Sequence, residues 1–196
     1  MSDSDTISNE LLGHIDGLDF AKVEAPDIVS GLDHDQFNWR VEDGSWSVAE
    51  CIDHLYQTGF HLKGALIPTI EAAHAAGKRA EGPFTYGPLQ RFFVNSAGVP
   101  KDPKKGRLKA PKLYVPGSEF DADDLIPKFV KLQEDLIDVT RSAQGLDLKR
   151  IKVSSPAARI VRLSIGMWLK LIPNHQKRHF LQARRVRDTL QTTGHA

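Results

Sequence analysis

Three histidines carry the chemistry legible in this chain, two of them in the run His175-Gln176-Lys177-Arg178-His179. Side chains four residues apart on a helix lie about 5 to 6 Å from each other at Cβ, close enough to share one ion. The pair interrupts a stripe that should be apolar: Trp168 and Ile172 precede it, and Ala183, Val186 and Leu190 follow, in the three- and four-residue steps of one helix side. A buried imidazole needs hydrogen-bond partners or a metal. A third ligand must come from another helix, and the best candidate is His54. Ser47 reads as an N-cap with Glu50 three residues on, a capping box, and Trp46 before it is placed to staple onto Cys51. Val48, Cys51, Leu55 and Leu62, followed by Leu66 or Thr69, then face inward, which puts His54 at the edge of the buried face and two turns inside the helix.

Three neutral imidazoles leave at least one position on a divalent ion for water or substrate, and coordination brings a water pKa down to about 7. Such an ion could supply hydroxide or hold a thiol as thiolate. The His-x-x-x-His spacing lacks the glutamate base of His-Glu-x-x-His, so a metallopeptidase is excluded. Neighbouring residues have both chemical and plain readings. Glu50 could orient His54 or act as a base, yet the capping box accounts for it. Cys51 could be a fourth ligand, though it reads better as a small buried hydrophobe. His61 could line the cavity from two turns along the second helix, or be a half-exposed helix residue. Gln182, one turn after His179, could hydrogen-bond a ligand or an imidazole, or serve the structure alone. Arg178 points off the histidine stripe toward an ion pair with a neighbouring helix, while His14, His34, His74 and His195 fall in no comparable arrangement.

Trp46-Ser47-x-x-Glu50-Cys51-x-x-His54-Leu55, joined to His175-x-x-Arg178-His179-x-x-Gln182-x-x-Arg185-Val186, resembles the DinB-like superfamily, named for damage-inducible bacterial proteins. Asp147-Leu148-Lys149-Arg150, Ser155-Pro156 and Arg162-Leu163-Ser164 sit where that family connects two helices. The resemblance implies a four-helix bundle in which one histidine of the second helix and two of the last bind a divalent metal, commonly nickel or zinc. It carries those roles onto His54, His175 and His179, with no ligand position substituted. The superfamily includes thiol-dependent S-transferases and proteins described only as metal-dependent hydrolases, so it implies metal chemistry more firmly than any one reaction.

The elements that must hold these residues are helical. Residues 6–31 carry Ile7, Leu11, Ile15 and Leu18 at helical spacing, although Gly17 and Pro26 predict a kink or split, since an interior proline costs about 3 kcal/mol. Residues 47–76 form the second helix, stopped at Gly77. The third spans 122–143 after an Asp121 cap, and the fourth spans 164–190, with Pro173 predicting a kink two residues before His175. Alternation is nowhere long enough for a sheet, although residues 151–154 could be briefly extended. The fold expected is all-α, a four-helix bundle in a single domain of residues 1–196. A long crossover connection, residues 78–120, joins helices two and three and could form a lid. It contains a short helix at residues 89–95.

Composition narrows the partners. A net charge of +1 gives no global field toward nucleic acid or membrane. The connection's Lys101, Lys104, Lys105, Arg107, Lys109 and Lys112 read as a solvated loop, because no base-reading motif accompanies them. One cysteine precludes an internal disulfide framework and suits a reducing compartment. The acidic, polar start, Met1-Ser2-Asp3-Ser4-Asp5, has no signal-peptide pattern, and no run approaches the ~20 apolar residues of a membrane span. A cytoplasmic protein is expected. Two functions compete: a metal-dependent enzyme, either a transferase of a low-molecular-weight thiol or a hydrolase, acting on a small molecule at an open coordination position; or a non-catalytic metal-binding stress-response protein. A homodimer is expected in the second case and compatible with the first.

Overall fold

The computed structural model describes residues 7–100 and 109–193. The expectations for the acidic start, for Lys101, Lys104, Lys105 and Arg107, and for His195 therefore lie outside the described residues. The chain is mostly helical, with α1 (Asn9–Val29), α2 (His34–Asn38), α3 (Val48–Ala75), α4 (Pro88–Ala97), α5 (Ala122–Ser142) and α6 (Ile165–Thr193). A 3-10 turn, Lys112–Tyr114, precedes α5, and a small hairpin of β1 (Lys152–Ser154) and β2 (Arg162–Ser164) precedes α6. Among the described residues no helix is long and apolar enough to cross a membrane.

The four long helices pack in a ring: α1 lies against α5 and α6, and α3 lies against the same two. Their starts are set by local chemistry. Ser47 and Glu50 close both halves of a capping box at the start of α3, and the Ser8 and Asp121 side chains cap α1 and α5. Such caps are each worth about 1 kcal/mol. Gly77, with φ of +61°, turns the chain out of α3 in a conformation only glycine adopts freely. Buried apolar residues form two adjoining clusters, and Tyr56 packs against both. Leu66 is fully buried while Thr69 is half-buried, which settles which of the two faces the core.

Three differences from the sequence reading have simple causes. First, α1 is continuous, because Pro26 sits in its last turns and faces solvent, where few hydrogen bonds remain to lose. Pro68 and Pro127 are likewise exposed within unbroken α3 and α5. Second, Gly17 is a contact: a Cβ there would lie 2.6 Å from Cβ of Pro173, so the missing side chain lets α1 close onto α6 at the proline ring. Third, residues 151–154 do pair, in register Lys152 with Ser164 and Ser154 with Arg162. Three-residue strands are too short to show alternation. The indole nitrogen of Trp168 donates to the Val153 carbonyl at 2.9 Å and anchors this hairpin to α6.

Candidate metal centre

His54 enters from α3, and His175 and His179 from α6, two helices in direct contact. The capping box at Ser47 fixes where α3 begins, and therefore where His54 falls on its buried face. On α6 the two rings lie side by side, 4.5 Å apart between centroids. The His54 ring meets both, at 5.1 Å from His175 and 4.6 Å from His179. His54 and His179 are buried and His175 is half-buried, and one ring nitrogen from each lies within 4.8 Å of the others. The expected trio is thus brought together, with His175 the least covered of the three residues.

The remote nitrogens decide the charge state. His54 Nδ1 donates to the Tyr114 carbonyl at 2.7 Å, and His175 Nδ1 donates to the Ala97 carbonyl at 3.0 Å. His179 Nδ1 lies 3.1 Å from Gln182 Oε1, which accepts from it. A carbonyl oxygen can only accept, so each Nδ1 carries the ring proton and each Nε2 is left with a bare lone pair. His54 Nε2 and His175 Nε2 nevertheless face one another at 2.9 Å. Protonating one of them would be unfavourable. Burial first, and His54 second, pushes His175 down from the ordinary histidine value to about 3. Burial likewise lowers His54, and burial together with the two neighbouring histidines lowers His179. Two acceptors pressed together with no proton to share are repulsive, and a cation between them removes the repulsion. This is the donor set and outer hydrogen-bonding that metal-bound histidines show. The residues fit a divalent ion.

Other nominated residues take different positions. The Glu50 carboxylate accepts from Arg40 on both oxygens, at 2.5 and 2.8 Å, and from the Ser47 amide at 2.9 Å. It is a capping and ion-pair group pointed away from the rings. Cys51 is fully buried, burial pushes its thiol far up, and it is not part of the cluster. His61 packs its ring edge-on to Phe60 and 6.0 Å from Tyr114, one shell outside the histidines. Gln182 touches the centre through His179. Arg178 reaches across to donate to the Ser96 carbonyl in the last turn of α4, at 3.1 Å.

Sequence reasoning missed the wall and the braces. Trp46 lies over two of the rings, 4.7 Å from His54 and 5.6 Å from His179, covering one side with an apolar face. Its position before the Ser47 cap was a signal for packing, and the same geometry aims it at the histidines. The braces are the main-chain carbonyls of Ala97 and Tyr114, both in the long connection. Backbone acceptors leave no mark in a sequence.

A family model described as the DinB superfamily matches residues 18–183, a span holding all three histidines. The chain belongs to the DinB superfamily. It is also similar to an uncharacterized protein, YuaE, of Bacillus subtilis (strain 168), with 20% identity over 172 residues that cover 87% of this chain and 95% of the relative. No solved structure matches the chain. As a DinB-superfamily protein with three clustered imidazoles, it has a centre able to hold a metal ion.

Proposed function

We propose that this DinB-superfamily protein is a metal-dependent enzyme of small molecules, a transferase of a low-molecular-weight thiol or a closely related hydrolase. On this reading His54, His175 and His179 hold zinc or nickel within one four-helix bundle domain, and residues 76–121 cross between α3 and α5. One observation carries the proposal: three Nε2 lone pairs converge, each fixed by a hydrogen bond on the far side of its ring. When bound, the ion supplies a Lewis acid that lowers the pKa of a coordinated thiol or water.

The chain's own residues do the rest. All three ligands are neutral and no carboxylate joins them among the described residues, so nothing in the donor set offsets the charge presented to an incoming anion. Arg178, next to His179 in sequence, adds positive charge beside the three histidines. Trp46 excludes water from one side, and half-buried His175 marks the side from which a substrate approaches. Such an opening favours catalysis over a purely structural ion, which would need a closed set of ligands; Cys51, the nearest thiol in sequence, does not close it.

The test is elemental analysis of protein purified without a nickel column, followed by a thiol-conjugation assay with and without chelator. One ion per chain and conjugation abolished by the chelator are expected. Fully loaded protein that conjugates no faster than buffer, and hydrolyses no activated ester, would leave only a metal-binding role.

A further inference from the structure

Roughly five turns of α3, about 28 Å at 1.5 Å per residue, separate His54 from Ala73 in the wall of a cavity. This cleft, of about 560 Å³, lies where the end of α3 meets the hairpin and the turn after α5. Lys78, Arg79, Arg150, Lys152 and Arg162 line it, with Asp147 as the one carboxylate. Five cations against one anion is a strong local excess in a chain whose net charge is only +1.

The surroundings do little to neutralise them. Asp147 turns one oxygen back to the amides of Lys149 and Arg150, at 3.2 and 2.9 Å, and its other oxygen is 3.8 Å from the Arg150 guanidinium. Among the described residues no ion pair within 4.0 Å is made by Lys78, Arg79, Lys152 or Arg162. The hairpin register makes the crowding worse. Lys152 pairs with Ser164 and Arg162 with Ser154, so the two cations share one face as diagonal neighbours, about 7 to 8 Å apart. Lys152's ammonium is pushed below its ordinary value by burial first and by Arg162 next. The carbonyls ending α3 do not discourage an anion, because the amides of Ala76, Gly77 and Lys78 already bond to those of Ala72, His74 and Ala73.

The structure assigns this cleft as a binding site for a small phosphate-bearing molecule, remote from the histidines. Guanidinium forks bind carboxylate and phosphate oxygens alike, and it is the excess of five cations over one carboxylate that matches the higher charge of a phosphate. The volume suits a small molecule, since such sites run from about 300 to 1,000 Å³. A bound phosphate would offset the repulsion between Lys152 and Arg162.

The experiment follows backbone amide shifts of the full chain, metal-free and metal-loaded, during titration with inorganic phosphate and with pyrophosphate. Saturable shifts at residues 77–79, 147–152 and 162–164 are expected in both forms, with pyrophosphate the tighter and binding weakened by added salt. Arg79→Gln with Arg162→Gln should weaken pyrophosphate at least tenfold, and Lys152→Gln alone should weaken it less. Lys128→Gln, near the start of α5 and outside the cleft, should leave it unchanged. All these side chains are exposed, so the fold is expected to survive, as circular dichroism would verify. No saturation, shifts confined to the neighbourhood of His54, His175 and His179, or unaltered affinity in the variants would each overturn the assignment. So would saturable binding of a single-stranded oligonucleotide at these residues without pyrophosphate binding.

Discussion

Two environments in this molecule bury histidine, and they differ in what surrounds the ring. His14 on α1 is buried, and its Nε2 has no hydrogen-bond partner among the described residues. Burial first, and the nearby Lys170 cation second, lowers it to about 4. The three histidines of the centre, two buried and one half-buried, are also lowered, but each has its remote nitrogen tied down and its other nitrogen aimed at a shared point. Burial and neutrality alone therefore do not make a ligand. Convergence does, together with a partner that fixes the tautomer.

The sharpest break of that comparison is removal of a ring on each side. His179→Ala should lose bound metal while staying largely helical, and His14→Leu should keep it, both read by elemental analysis and circular dichroism; equal metal content in the two variants would erase the distinction. Acid comes next. A histidine whose folded pKa is depressed leaves stability intact above its unfolded value of 6.5, and that stability is lost as pH falls toward the folded value. For His14 the window runs from 6.5 down to about 4, and the contribution is up to about 3 kcal/mol. Metal-free His14→Leu should accordingly lose less stability than the parent between pH 7 and pH 4 in denaturant titrations. An identical slope for both would show that His14 takes up its proton as readily in the fold as in the unfolded chain.

A smaller effect is expected from Gly17→Ala, because the added methyl meets Pro173, itself two residues before His175. Overpacking of this kind costs about 1 to 3 kcal/mol, and the thermal midpoint should fall with metal stoichiometry retained. A variant as stable as the parent would mean that α1 moves away freely. The mildest change is Gln182→Ala, which takes the acceptor from His179 and leaves the ring. Metal affinity should drop about tenfold with little change in thermal stability. An unaltered affinity would show that the remote hydrogen bond on that ring is dispensable.

The ligands were legible because helical spacing is a strong signal: His175 and His179 break an apolar stripe, and Ser47 with Glu50 dates the start of the helix that carries His54. The ends of α3 and α5 followed from the same local chemistry. The short α2 was overlooked although Asp33 and Gln36 form a capping box there, a signal present and unread. The hairpin was nearly invisible, since three residues give alternation no room. Gly17 was read as a weakness in a helix, because a close approach between two helices depends on what lies across from the glycine. The Tyr114 and Ala97 carbonyls had no signature at all, being backbone atoms common to every residue.

Those two carbonyls give the last turn of α4 and the turn at Lys112–Tyr114 an unusual leverage. A designer who moved either turn would be re-aiming His54 and His175 without altering either residue. Variation in those two turns would then be read out as a change in ion preference, at a distance in sequence where no one inspecting the ligands would look for it.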